Sequence, residues 1–215
     1  YNEYIEYGRR PTGMYIPRFR NLKNDQDKHE FVRGYNFQSW GQGRVPPQDI
    51  NGFGEELKKN LRIPGPWRLP LHAFCEILPR KSNRILVDDN KVDQYGIPQV
   101  KFEFEWSENE INMLKDATEQ AELMLKAAGC TSIEKRSIQS APGTGIHEMG
   151  GARMGDDPKK SIVNRYNQAH FADNLFITDG SAMTSASSVN PSITYMAMTA
   201  RAANYASDLI KQNKI

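Results

Sequence analysis

The chain has 215 residues, 38% of them hydrophobic and 10% aromatic, enough to bury a core as one large domain or two small ones. Its 28 basic and 26 acidic side chains leave a net charge of +2, which offers no broad electrostatic attraction to nucleic acid or anionic lipid. No apolar run approaches the roughly 20 residues of a membrane helix. Cys75 and Cys130 stand far apart without a Cys-x-x-Cys, so neither a zinc knuckle nor a disulfide framework is expected, and both read as small hydrophobes filling apolar space.

The chain opens on Tyr1-Asn2-Glu3-Tyr4, with neither an initiator Met nor a signal peptide. It is expected to have lost its beginning, which leaves the compartment, cytoplasmic or periplasmic, unread. Residues 8–30 are rich in Arg, Pro, Asn and Lys, and read as an extended, loop-like entry held by a partner surface. Between Gly34 and Gly41, Tyr35, Phe37 and Ser39 alternate with Asn36, Gln38 and Trp40, which predicts a strand with aromatic side chains on both faces. A short helix follows over 54–61. From Leu71 the pattern is strand-like over 71–78, 84–87 and 100–106, with turn chemistry at Asp88-Asp89-Asn90 and Gln94-Tyr95-Gly96. Phe102, Phe104 and Trp106 alternate with Lys101, Glu103 and Glu105, which predicts an antiparallel sheet whose aromatic stripe is core.

Ser107-Glu108-Asn109-Glu110 is a capping box, with Ser107 as N-cap and Glu110 reaching back. The helix that follows places Ile111, Leu114, Ala121, Leu125 and Ala128 on one stripe to cover a sheet, and Gly129 ends it. A short buried strand over 174–178 leads into an Asp179-Gly180 turn. Asn190-Pro191, an N-cap and a proline at the first helical position, opens a second helix that runs to about Lys211 through Met196, Ala200, Ala203 and Ile210.

The last third holds the chemistry. His147-Glu148 begins like the zinc motif His-Glu-x-x-His, but Gly151 occupies the second His position, so no metal site is expected. No phosphate-cradling loop is present, and neither Gly41-x-Gly43 nor Gly143-x-Gly145 completes a dinucleotide fingerprint. What remains is a Gly-rich segment bearing His147, the Asp179-Gly180 turn, and a helix N-terminus whose unpaired N–H groups and partial positive charge suit an anion. Arg153 reads either as a ligand for a substrate anion or as a structural Arg paired with acidic neighbours; His29, His72 and His170 read as structural or surface residues.

These residues resemble a known family. His147-Glu148-Met149-Gly150-Gly151-Ala152-Arg153-Met154-Gly155, Val163-Asn164, Leu175-Phe176-Ile177-Thr178-Asp179-Gly180-Ser181 and Asn190-Pro191-Ser192-Ile193-Thr194 before an Ala-rich helix resemble the C-terminal part of glucose-methanol-choline (GMC) flavoprotein oxidoreductases. The resemblance covers roughly residues 147–212 and is nearest to the bacterial branch of gluconate and sorbitol dehydrogenase large subunits. Glu76-Ile77-Leu78-Pro79 and Asn83-Arg84-Ile85 fit that family's substrate-binding domain more loosely.

The resemblance implies an α+β fold: an antiparallel sheet covered by helices in a substrate-binding-type region, 1–145, and a C-terminal segment, 146–215, whose strand and helix complete an FAD-binding domain. It implies FAD as cofactor and an alcohol, polyol or sugar-type substrate oxidised at its CH–OH group. His147 would take the hydroxyl proton as hydride passes to flavin N5, and Asn190 would hydrogen-bond the substrate oxygen. An imidazole can accept such a proton near neutral pH, whereas an amide can only orient. Asp179, Gly180 and Ser181 correspond to the segment at the flavin's ribityl and pyrophosphate groups, and Asn190, Pro191, Ser192 and Thr194 to residues against its ring. A complete member begins with a Gly-x-Gly-x-x-Gly strand-turn-helix. This sequence has none, so the chain alone is expected to lack the Rossmann half, to keep little FAD and to turn over no alcohol. The partners implied are that N-terminal half and an electron-accepting cytochrome or quinone. A non-catalytic binding module and one chain of a split flavoenzyme stand as alternatives.

Overall fold

The computed structural model describes residues 13–23, 28–40, 52–63, 68–136 and 139–215. The Arg9-Arg10 entry and the glycines at 41 and 43 lie outside them. The fold is α+β, with antiparallel sheets and three α-helices among the described residues.

Strands β1 (Gly13–Ile16), β2 (Tyr35–Trp40) and β3 (His72–Cys75) form one antiparallel sheet in that order. β1 falls inside the stretch expected to be a loop held by a partner. Instead it pairs with β2 from Gly13↔Trp40 to Ile16↔Phe37, and so satisfies its backbone groups within the chain. β3 is shorter than the 71–78 span expected.

Side chains directly opposite one another in antiparallel strands share a face. The register therefore puts Ile16, Tyr35, Phe37, Ala73 and Cys75 on one face, and Tyr15, Asn36, Gln38, His72 and Phe74 on the other. The first face is the core side. Phe31, Tyr35, Phe37, Met113 and Ala117 form its buried cluster, with Phe19, Leu71, Cys75, Ala121 and Met124 packed around it. Burial pushes the Cys75 thiol up to about 12, so it stays a neutral space-filling group. Tyr35 meets Phe37 edge to face with ring centroids 5.3 Å apart.

Helix α1 (Gly54–Leu61) has the expected bounds and buries no residue. Helix α2 (Glu108–Ala127) lays its inner side on the sheet, and its capping box forms as expected. The Glu110 carboxylate accepts from the Ser107 backbone N–H at 2.9 Å, from the Ser107 hydroxyl, and from the Leu78 N–H at 3.1 Å. Burial alone would raise the Glu110 pKa, but these hydrogen bonds outweigh it and hold the carboxyl below the usual range. The expected stripe is displaced: Glu110, Met113 and Ala117 are buried, whereas Ile111 is 45% exposed. The helix rotates so that this hydrogen-bonded carboxylate goes inside. Arg20 of the 17–23 segment clamps the same helix through Asp116, at 2.9 and 3.0 Å, and Asp116 also accepts from the Tyr35 hydroxyl.

Strands β4 (Arg84–Val92) and β5 (Pro98–Glu103) form a separate hairpin. Asp88-Asp89-Asn90 is not the turn. The register shifts between Asp88 and Val92, and the Asn90 N–H bonds to Asp88 Oδ1, so this turn chemistry is spent on a bulge. The reversal comes at 93–97, where Asp93 Oδ1 accepts the N–H groups of Tyr95 and Ile97 and Gly96 takes a φ of 78°. The aromatic stripe over 102–106 is not core. Phe102 is 40% exposed beside exposed Ile85, Val87 and Val100, because a two-stranded ribbon has no second layer to bury its face. The ladder stops at Glu103 because the Asn83 side chain takes the Glu105 N–H, and Asn83 and Arg80 donate to its carbonyl.

The C-terminal part is a hairpin of β6 (Gln168–Ala169) and β7 (Ala172–Phe176), followed by a 3-10 turn (Gly180–Ala182) and helix α3 (Ser192–Lys211). β7 begins and ends two residues before the strand expected over 174–178, and it is half exposed rather than buried, with Leu175 41% open. Tyr205 of α3 stacks on Tyr166 at 4.1 Å and meets Phe176 edge on, which docks the helix on the hairpin. Buried Asn167 donates to the Ile177 carbonyl at 2.8 Å and accepts from Arg201 of α3 at 3.4 Å.

Candidate active site

The outer face of the three-stranded sheet carries the residues that chemistry singles out. On it, Asn36 lies opposite Phe74 and Gln38 lies opposite His72. The His147 ring packs tilted against the Phe74 ring at 6.4 Å, and Asn190 accepts a hydrogen bond from Gln38 Nε2 at 2.7 Å. Phe74 and Gln38 are diagonal neighbours, so the anchors of His147 and Asn190 stand about 7–8 Å apart on one pleated surface. Half-buried His147 and exposed Asn190 come from loops far apart in sequence, and the sheet brings them to one place. Trp40 and His72 meet edge to face at 4.4 Å on the same surface.

The loop bearing His147 is fixed by its neighbours. The Ala152 N–H donates to the Ser181 carbonyl at 2.9 Å and the Met154 N–H to the Ala182 carbonyl at 2.8 Å, so the Gly-rich segment runs beside the 3-10 turn. Gly150 has a φ of 89°, a left-handed conformation, and a Cβ there would stand 3.3 Å from the Thr184 carbonyl oxygen. Gly180 is required by space instead: a Cβ would meet the Tyr195 hydroxyl at 2.6 Å and the Glu148 carbonyl at 3.0 Å. Gly180 is thus the point at which the His147 loop, the turn and the first turn of α3 touch.

Asp179 caps that turn, its Oδ1 accepting the Ser181 N–H at 2.9 Å and the Ser181 hydroxyl. Burial first, then the carboxylates of Asp179 and Glu148, push the Tyr195 phenol above its ordinary value, so it remains a neutral O–H. Helix α3 starts one residue later than the sequence indicates, with Pro191 at the N-cap position and no side-chain cap. Asn190 does not cap it because its side-chain oxygen is taken by Gln38. Pro191 is buried while Ser192 and Thr194 are exposed, as are Ile193 and Met196, 79% and 70% open.

Other candidates serve the fold. His170 Nε2 bridges Ser161 Oγ at 3.1 Å and the Gly155 carbonyl at 3.0 Å. His29 stacks on Phe31 at 5.4 Å. Arg153 pairs with the Lys160 carbonyl at 2.7 Å rather than with an acidic neighbour. Gln38, Phe74 and Tyr195 are the residues at this site that sequence reasoning passes over, since each earns its place through a contact with a distant segment. Among the described residues no group of three or more His, Cys, Asp or Glu side chains could hold a metal ion, and no helix is long and apolar enough to cross a membrane.

A family model described as GMC oxidoreductase matches residues 79–199, more than half of the chain and all of the segment from His147 to Thr194. The chain belongs to the GMC oxidoreductase family. It is 32% identical over 184 residues to the 2-methyl-1,2-propanediol dehydrogenase of Mycolicibacterium austroafricanum, covering 82% of this chain and 33% of that protein. It is 31% identical over 204 residues to the gluconate 2-dehydrogenase flavoprotein of Pantoea cypripedii, covering 87% and 32%. Against the fructose dehydrogenase large subunit of Gluconobacter japonicus the identity is 28% over 159 residues, covering 74% and 29%. The chain therefore spans about a third of the length of these curated GMC relatives. The match reaches upstream of the segment that carries the strongest motifs and takes in the β4–β5 hairpin and α2.

Proposed function

We propose that this chain is the C-terminal part of an FAD-dependent oxidoreductase acting on the CH–OH group of an alcohol, polyol or sugar-type donor. In this reading residues 1–145 belong to the substrate-binding-type region, and 146–215 carry the proton-handling and flavin-contacting residues. The observation that carries it is the anchoring of His147 and Asn190 at diagonal positions of one sheet face, with Asn190 just before the N-terminus of α3. The relatives' names, a diol dehydrogenase and two sugar or sugar-acid dehydrogenases, support the substrate class. The name of the fructose relative, a large subunit, supports a companion subunit, and an electron-accepting cytochrome or quinone partner is part of the proposal.

The residues fit FAD. Helix α3 has no side-chain cap, so its first N–H groups and their partial positive charge are left for an electron-rich edge of the ring, beside exposed Ile193 and Met196. Asn190, Pro191, Ser192 and Thr194 would lie against that ring, and Asp179, Gly180 and Ser181 along the ribityl and pyrophosphate groups. When bound, FAD supplies the hydride acceptor. His147 takes the substrate's hydroxyl proton, and its packing against Phe74 restricts how the imidazole turns. Asn190 hydrogen-bonds the substrate oxygen as negative charge builds on it, in the manner of an oxyanion hole.

The test is anaerobic addition of a panel of alcohols, polyols and sugars to the flavin-loaded protein that contains these residues. At least one member of the panel bleaches the flavin's visible absorbance. A protein that takes up no FAD, or whose flavin every donor leaves oxidised, contradicts the proposal.

A further inference from the structure

We infer that Gln38 is a positioning residue that fixes the polarity of Asn190, turning its amide N–H groups rather than its carbonyl toward the substrate oxygen; this rests on the function proposed above. Gln38 sits on the central strand of the sheet, between Tyr15 and His72 in register. Its Nε2 donates to Asn190 Oδ1 at 2.7 Å and lies 3.4 Å from Oδ1 of fully buried Asn36. In this arrangement Gln38 Nε2 faces two side-chain carbonyl oxygens, closely at Asn190 and more distantly at Asn36. Asn190 is then held by its oxygen, and Nδ2 is the end it keeps for another partner.

The consequence is chemical. An unconstrained amide presents oxygen or nitrogen to a ligand alike, and a carbonyl facing an oxygen that is losing its proton repels it. An N–H facing the same oxygen stabilises the developing charge, more so in the transition state than in the bound alcohol, so the device acts on kcat more than on KM. It also separates two roles on one sheet face: His147 accepts the proton while Asn190 only donates. Nothing local marks Gln38 for this task, because its partner lies 152 residues away in sequence.

The test compares Gln38→Leu, Gln38→Glu and Gln38→Lys with the parent in the flavin-loaded full-length protein, measuring kcat, KM, thermal midpoint and binding of a non-reactive alcohol analogue through the flavin spectrum. Lys keeps a donor facing Asn190 Oδ1, whereas Glu accepts from Nδ2 and turns the amide around. Gln38→Glu is expected to lower kcat by about 10²- to 10³-fold, the effect of losing one oxyanion donor, and Gln38→Lys to turn over at least about tenfold faster than Gln38→Glu. Analogue binding and thermal midpoint change little in both. A kcat for Gln38→Glu equal to or above that for Gln38→Lys overturns the inference, as does a parental kcat for Gln38→Leu. A parent whose flavin no alcohol reduces, or whose His147→Ala variant reduces normally, overturns the proposed function and this inference with it. A parent that fails neither check, together with a fully active Gln38→Leu, removes the inference about Gln38 alone.

Discussion

If His147 is the base of the proposed reaction, replacing it by alanine is expected to lower the rate at which alcohol reduces bound flavin by about 10²- to 10⁴-fold, the range for removal of a positioned general base. The loss falls on chemistry because the side chain has little structural work. Its ring is half-buried, packs against Phe74 at 6.4 Å, and is not tied into the hydrogen-bond network among the described residues. The loop's position rests on the backbone bonds of Ala152 and Met154 and on the tight contact at Gly180, all of which the substitution leaves in place. Flavin content and thermal midpoint therefore stay near those of the parent. Added imidazole should restore part of the rate by entering the space the ring vacates. Rapid mixing under anaerobic conditions measures the reduction directly, and near-normal reduction removes His147 from the role of base.

Asp116→Ala is expected to destabilise the fold markedly. The carboxylate sits between α2, the 17–23 segment and β2, pairing with Arg20 through both oxygens and accepting from the hydroxyl of Tyr35, a fully buried side chain. Burial, then Asp116, pushes the Tyr35 phenol well above its usual value, so it remains a neutral donor that needs its acceptor. Removing the carboxylate takes the acceptor from that hydroxyl and breaks the paired contact with the guanidinium. Breaking a buried pair costs about 3–5 kcal/mol, and the side chains of Arg20 and Asp116 keep 15% and 19% exposure, so water relieves part of it. A cost of about 2–4 kcal/mol lowers the thermal midpoint by roughly 5–15 °C in a protein of this size. Glu122→Gln, which removes a half-buried carboxylate whose partners Lys126 and Lys135 are exposed, is the control and should lower the midpoint far less. Following helical circular dichroism through the melt measures both. Equal midpoints for Asp116→Ala and the control would show that the clamp contributes nothing.

Features written in neighbouring residues were legible in the sequence, and features made by distant pairs were not. The bounds of α1, the capping box of α2 and the Gly96 turn follow from spacing within a few residues. β1 escaped because Gly-Met-Tyr-Ile has no alternation of its own, and its strand character comes from pairing with β2. The stripe on α2 was misplaced because periodicity treats Glu110 as an outward residue, whereas its hydrogen bonds to Ser107 and Leu78 allow it to go inside. The aromatics from Phe102 to Trp106 alternate as a half-buried strand does, yet burial depends on a covering layer that alternation cannot report. At the site the pattern is the same. The Gly-rich segment around His147 and the Asn190-Pro191 step mark themselves, but helix α3 starts a residue late because Gln38 competes for the Asn190 side chain. Gly180 reads as a turn glycine or a cofactor contact, while its nearest neighbours are Tyr195 and Glu148.

In the proposed function, His147 and Asn190 act together over one face of the β1-β2-β3 sheet. A crystal structure of the flavin-loaded full-length protein with a non-reactive alcohol analogue tests this most directly. The expected result is the analogue's hydroxyl oxygen at about 2.6–3.2 Å from both a His147 ring nitrogen and Asn190 Nδ2, with Gln38 still donating to Asn190 Oδ1. An analogue whose hydroxyl meets neither residue, or a His147 ring turned away from Phe74 and the sheet, would contradict it.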